Sequence, residues 1–234
     1  MRAILVLLLC AGAYAGSLPD YMKACSASDP ELNKCIEDVI STAGPRFAKG
    51  IPDLGIASLD PVNLGTIHID NPALNVTLMD TVLTGLSGFK INSFKMEEAK
   101  GRATLDFTAN VTLKSQYVMD GQVLILPIRG DGDARIKITN LNIVIKYEFK
   151  TVDGHWTVPE YKESYKMGRA HFKFTNLFGG NKELASLTLQ FMNDNWSTII
   201  DEIAPPAITQ IIRRCVDEVR KLFAAVPADQ LLLH

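Results

Sequence analysis

The chain has 234 residues, with 24 basic and 26 acidic side chains and a formal net charge of −2. Hydrophobic residues make up 47% of it, and four cysteines occur. So even a charge balance offers no basic field for nucleic acid or an anionic membrane, and so apolar a chain can bury a sizeable core in one domain.

Residues 1–15 read as a secretory leader. Arg2 is the charged start, Ala3 to Ala11 the apolar run, and Ala13-Tyr14-Ala15 a small-x-small cleavage site before Gly16. The run is too short to span a bilayer and stay. No later apolar run is long enough, so the expected product is a single domain over 16–234, secreted and extracellular, without stable membrane insertion. Cys10 leaves with the leader. Cys25 and Cys35 are then the natural disulfide pair in an oxidising compartment, and the short ring is worth roughly 3 kcal/mol in the chain-entropy model. Cys215 sits on an apolar stripe and is expected as a buried, inert thiol.

Ser28-Asp29-Pro30-Glu31 looks like a helix start, with Pro in the first turn. That helix runs to about Thr42 with Leu32, Ile36, Val39 and Ile40 inward, and Gly44-Pro45 ends it. An apolar arm stapled by the disulfide is either part of the core or a movable cover. Residues 50–65 carry Gly50, Pro52, Gly55, Pro61 and Gly65 and read as a packed, turn-rich connector.

From Thr66 the period changes to two. Ile67 and Ile69 alternate, then Leu74, Val76 and Leu78. The clearest case is Ala103, Leu105, Phe107, Ala109, Val111 and Leu113, a long half-buried strand with polar residues between them. Tyr117 to Met119, Asp120-Gly121 and Val123 to Leu126 read as a hairpin whose turn is Asp120-Gly121, and Pro127 limits the pairing of the second strand. Ala134, Ile136 and Ile138 keep even positions inward; Leu141, Ile143, Ile145, Tyr147 and Phe149 keep odd ones. The flip near Asn140 predicts a β-bulge. Asp153-Gly154 turns the chain, Trp156 to Tyr165 returns, and Ala170, Phe172 and Phe174 form a last strand.

Residues 181–226 then hold a helical period, with a stripe through Leu187, Phe191, Trp196, Ile199, Ile203, Ile211, Cys215 and Leu222. The stripe is often two residues wide, so it needs partners around much of its girth. Pro205-Pro206 divides it into segments 181–203 and 206–224. Long bent strands before such a helix predict an α+β fold, a curved antiparallel sheet enclosing a long C-terminal helix.

Catalytic patterns are missing from the sequence. Gly85-Leu86-Ser87-Gly88 is one residue short of a nucleophile elbow. No phosphate loop or dinucleotide fingerprint occurs, the four histidines lack metal-site spacing, and Asp131-Gly132-Asp133 reads as a turn. An enzyme, a metal and a cofactor are all unexpected. Sequons at Asn75 and Asn110 fall on the polar phase of their strands and are the expected glycan sites; Asn195, inside the helix, is not.

Seven motifs in order now resemble one family, the insect takeout and juvenile hormone binding proteins. They are Cys25-x9-Cys35 with Ser28-Asp29-Pro30; Lys49-Gly50-Ile51-Pro52-Asp53-Leu54-Gly55-Ile56 through Leu59-Asp60-Pro61; Gly85-Leu86-Ser87; Tyr117-x3-Gly121 with Leu124-Ile125-Leu126-Pro127-Ile128-x-Gly130; Thr175-Asn176-Leu177-Phe178-x-Gly180; Asn193-x-Asn195-Trp196; and Val226-Pro227. The resemblance implies an elongated α/β wrap of the TULIP type and the carriage of a small apolar ligand, such as a terpenoid hormone or fatty acid, in haemolymph or sensory lymph. Hormone carriers of the family have a second disulfide, and Cys215 has no partner for one, which favours the takeout branch.

Both readings lead to an internal apolar tunnel. Tyr147 is its expected polar anchor, an inward hydroxyl that also matches a ligand-facing tyrosine of the hormone carriers. Phe107, Ile145, Phe172, Phe174, Phe191, Met192 and Trp196 are the expected walls, and residues 19–42 the candidate lid. The partners expected are the small hydrophobic ligand and a receptor or carrier protein, with the chain itself a monomer. The competing reading is a membrane-active defence protein of the bactericidal, lipopolysaccharide-binding type, which the mildly acidic charge disfavours.

Overall fold

A computed structural model describes residues 16–234, and the expected leader lies outside them. Its spine is a pair of very long strands, β5 (Arg102–Val123) and β6 (Leu126–Glu148). They pair antiparallel from Arg102↔Glu148 to Val123↔Leu126. At ~3.3 Å per residue the ribbon approaches roughly 70 Å. One register shift interrupts it, between Ala109 and Val111, where Thr139 and Asn140 oppose Asn110. This is the bulge expected from the parity flip. Asn140 sits at φ 51°, and its N–H donates to Asn110 Oδ1 at 2.8 Å, so the looped-out donor is not orphaned.

The bulge separates two sets of neighbours. On one side β5 pairs with β3 (Leu74–Thr84), itself paired with β2 (Val62–Asn71), and β6 pairs with β10 (Arg169–Phe174). On the other, β5 pairs with β4 (Lys90–Glu97) and β6 with β9 (Tyr161–Lys166). A small pair, β7 (Lys150–Val152) and β8 (His155–Thr157), follows β6.

Two expected turns are corrected here. The hairpin reverses at Leu124-Ile125, not at Asp120-Gly121, and Asp131-Gly132-Asp133 lies inside β6. The glycines serve close approach instead. A Cβ on Gly121 would stand 2.3 Å from Ala73 O, and one on Gly132 2.6 Å from Thr175 Oγ1. Pro127 pairs in register with Gln122, so it does not stop the strand.

The C-terminal stripe forms three helices, α2 (Lys182–Asp194), α3 (Trp196–Ile203) and α4 (Pro205–Ala225). The proline break occurs where expected, with Pro in the first turn of α4. The break at Asn195 was not expected, and it places that sequon between helices; its amide donates to Phe191 O at 2.9 Å. Ile199, Ile200, Ala207, Ile212 and Val216 join the sheet's inner residues in one large core, with the sheet curled around them. Asn75 and Asn110 are exposed on the outer face.

The N-terminal helix α1 (Leu32–Phe47) continues through Gly44-Pro45, past its expected end. The chain ends in α5 (Ala228–Leu231) and β11 (Leu232–Leu233), and β11 pairs in parallel with β1 (Cys25–Ser26). The Cys25–Cys35 disulfide is present.

Buried polar groups show how the helix is fixed to its coat. Glu218, on α4, is fully buried. It accepts the Ala57 N–H at 2.8 Å and Lys221 Nζ at 2.9 and 3.0 Å, which locks the helix to the connector before β2. Removing the carboxylate orphans the half-buried Ala57 amide and leaves a void at a fully buried position, so Glu218→Ala should cost about 2–4 kcal/mol in denaturant unfolding, with Glu218→Gln recovering part of it.

Candidate functional site

The site begins with an edge. β4 pairs only with β5, leaving the N–H groups of its free side without a strand. Helix α1 covers that side. Glu37 Oε1 accepts the Phe94 N–H at 2.8 Å, and Asn33 Oδ1 accepts the Met96 N–H at 2.9 Å. Two polar side chains thus stand in for a missing strand and place the helix over the end of the sheet. The disulfide ties its first turns to β1. The adjoining face carries Ile36, Val39, Ile40, Ala43 and Phe47, spaced as one helical stripe and turned toward the space beneath the helix.

Beneath α1, three separate apolar clusters meet. The main core reaches there through Leu59, Phe107, Ile145 and Val216. A second cluster holds Phe94, Val158, Tyr147 and Phe223 with Ile36 and Ile40. The third joins Leu222 to Leu18, Met22, Phe47 and Leu231. Each is packed within itself, but no side chain fills the junction. A cavity of about 350 Å³ remains, lined by residues of all three clusters. Small-molecule sites span ~300–1,000 Å³ and combine apolar walls with a few polar groups.

The polar groups are few. Tyr147 stands on the inner face of β6, in an aromatic series that runs through Phe149 and Trp156 to Phe223 at centroid spacings of 6.3, 5.1 and 5.5 Å. Burial pushes its phenol well above the usual tyrosine range, and no hydrogen bond to its hydroxyl exists among the described residues. Tyr117, at the far end of the same ribbon, donates to Thr175 O at 2.6 Å. Cys215 also lines the cavity; burial first, and the Glu218 charge second, push its thiol up to about 12. Among the described residues, Lys23 and Arg220 are the charged ones that line it.

Of the wall residues expected from sequence, Tyr147, Phe107 and Ile145 line this cavity. Phe172, Phe174, Phe191, Met192 and Trp196 lie outside it, on the other side of the bulge. Phe172 and Phe174 stack at 6.4 Å on β10, and Phe174 meets Tyr117 edge-on at 4.9 Å. Asn193 at the end of α2 accepts the Phe172 N–H at 2.8 Å and donates to Phe172 O at 3.1 Å. Met192 is buried in the main core, and Trp196 packs under Arg169. Periodicity marked all five as inward but carried no position along the ribbon. Sequence reading missed Phe89, Phe94, Met96, Trp156 and Phe223 as lining residues. The alternation of Phe94 and Met96 on β4 was the available signal.

Comparison with known proteins agrees with this architecture. Residues 4–233 match the model of the haemolymph juvenile hormone binding protein family. The circadian clock-controlled protein daywake of Drosophila melanogaster is 29% identical, over 91% of this chain and 87% of its own length. Daywake of Drosophila yakuba is 28% identical over the same shares. The crystal structure of Epiphyas postvittana Takeout 1 superposes with a TM-score of 0.84 at 30% identity, covering 91% of this chain and all of that one.

The enclosure of the cavity can be read chemically through Cys215. A thiol with so high a pKa presents almost no thiolate near neutrality. In the folded protein Cys215 should resist iodoacetamide at about pH 8, and it should react at once in denaturant; mass spectrometry of the alkylated protein distinguishes the two states.

Proposed function

The chain belongs to the haemolymph juvenile hormone binding protein family, and from that premise we propose that it is a secreted carrier of a small hydrophobic ligand held in the cavity beneath α1. One observation carries the reading: three apolar clusters meet at a void that a disulfide-anchored helix roofs. A chain of about fifteen carbons gains roughly 12 kcal/mol gross at ~0.8 kcal/mol per buried methylene. Association entropy removes at least ~4 kcal/mol of this, which leaves room for roughly micromolar or tighter binding. Burial alone supplies the affinity, and no bond needs to be made or broken.

Tyr147 gives the site direction. Its hydroxyl is a donor without an acceptor, and an ester, keto or epoxide oxygen completes it. Helix α1 is the lid in this reading. Its attachments to β4 are two side-chain hydrogen bonds and the packing of Ile36 and Ile40 by Phe94, all of which can open without unpairing the sheet. The disulfide keeps the opened helix tethered at one end. Secretion is supported by the expected leader, by the disulfide, and by the lack of any helix among the described residues long and apolar enough to cross a membrane. Asn75 and Asn110 are the proposed glycan sites.

Solvent extraction of the purified protein followed by mass spectrometry should release an apolar molecule, and a fluorescent fatty probe should bind. Repeated empty extracts together with no probe binding would overturn the carrier reading. Tyr147→Phe should weaken an oxygenated ligand by up to about tenfold, as one lost hydrogen bond, and should leave a plain hydrocarbon probe unaffected. The raised phenol pKa keeps the proton in place, so affinity should stay flat up to about pH 10. Because the folded value lies above the unfolded one, this tyrosine's contribution to stability is complete below pH 10 and falls as pH climbs beyond it. Gly44 offers a steric test. A Cβ there would stand 2.3 Å from the Phe89 ring, so Gly44→Ala drives that ring toward the cavity. Long-chain probes should then bind several-fold more weakly than to the wild type, while an octyl probe is spared.

A further inference from the structure

The charged residues of the cavity specify more than an apolar guest. Among the described residues that line it, Lys23 and Arg220 bear charge, both are cations, and no Asp or Glu is present. Arg220 is committed to the protein. It donates to Val158 O at 2.9 Å, to Asp217 Oδ1 at 2.9 Å and to Pro159 O at 3.4 Å, and it lies over the Tyr161 ring. Lys23 is not committed. It belongs to the arm just before β1, between Met22 and Cys25, is exposed to solvent, and forms no ion pair among the described residues. Lys23 therefore stands, exposed and without an ion-pair partner among the described residues, at the rim of an apolar chamber whose lining also carries the donors of Tyr147, Trp156 and Tyr161.

On the carrier reading above, we propose that the ligand is an anionic amphiphile, a long-chain carboxylate whose head group is held at Lys23 while its chain fills the chamber. The physical reasons are two. A carboxylate drawn deep into the cavity would lose its hydration against almost purely apolar walls with no charge to replace it, so the head group belongs at the rim. There Lys23 supplies the opposite charge and water completes the solvation. A neutral ester of equal length, held the same way round with its head group at the rim, gains the same burial and no ion pair. An exposed pair of this kind is worth a few-fold in affinity. It is screened by salt, because nothing shields it from solvent.

The test uses matched ligands displacing the neutral probe 1-N-phenylnaphthylamine from the mature chain. Dodecanoate, methyl dodecanoate and dodecylamine are compared on the wild type and on Lys23→Met. The wild type should prefer the acid over the ester about fivefold at low salt, disfavour the amine, and lose most of the preference at high salt. Lys23→Met should bring the acid and the ester to equal affinity, with the ester unchanged as the check that the fold is intact. Equal affinity for acid and ester in the wild type, or an acid preference that persists in Lys23→Met, overturns the proposal and leaves the carrier reading standing. Should none of the three displace a bound probe, or the probe not bind, the carrier reading falls and this assignment with it.

Discussion

The continuous pairing of β5 with β6, broken once at Asn110 and Asn140, is the constraint on which the molecule rests. A ribbon of that length cannot be flanked by single strands of ordinary size, so it recruits two sets of neighbours, one on each side of the bulge. Each set builds its own interior. On one side α2, α3 and the first turns of α4 fill the concavity, and the core is continuous. On the other, the filling comes from α1, the last turns of α4 and the two chain ends, which arrive from different directions and form separate clusters. The cavity lies where those clusters fail to merge. It follows from how the parts are apportioned, and no residue has to be strained to keep it open.

Two inward tyrosines on the same ribbon show how local supply of acceptors divides structure from function. Tyr117 finds the Thr175 carbonyl and is pushed up to about 12, chiefly by burial and further by Asp131. Its hydroxyl approaches Gly130 so closely that a Cβ there would meet it at 2.7 Å. It is part of the wall. Tyr147 has the same chemistry and no such carbonyl among the described residues, and in the proposed carrier that capacity is left for the ligand. Thr81 and Ser115 make a related point. Both are buried hydroxyls without a hydrogen-bond partner among the protein groups described, and they lie close to each other across the bulge between β3 and β5.

Much of this was legible in the sequence because the motifs are in contact with one another. Asp60 of the Leu59-Asp60-Pro61 motif accepts the N–H groups of Gly85 and Ser87 and the Ser87 hydroxyl, so two widely separated motifs form one clasp. Burial opposes ionisation of that carboxyl, but those hydrogen bonds outweigh it and hold the pKa below the usual value. Tyr117, Gly130 and Thr175 join two others, and Asn193 reaches Phe172. The alternating phases identified the inner face, and the parity flip located the bulge. What was misread has a common cause. Periodicity reports which face a residue occupies and is silent about depth along a long element, so Phe172 and Phe107 looked equivalent. Glycine was read as a turn at Gly121 and Gly132, where it serves to let a neighbouring segment come close. Asn195 interrupts its helix without proline or glycine, through an amide that takes up the Phe191 carbonyl, and no composition rule marks that.

The pairing of β1 with β11 gives the molecule an almost annular connectivity. Cys25 is bonded covalently to Cys35 of α1 and lies opposite Leu232, two residues from the C-terminus. Beginning and end of the chain are thereby sewn together at one pole, around the mouth. Dilation of that mouth strains the seam between the two termini before it disturbs the long ribbon. In the proposed carrier, the long ribbon stays paired while this collar opens, and the ligand enters and leaves at one end of the molecule.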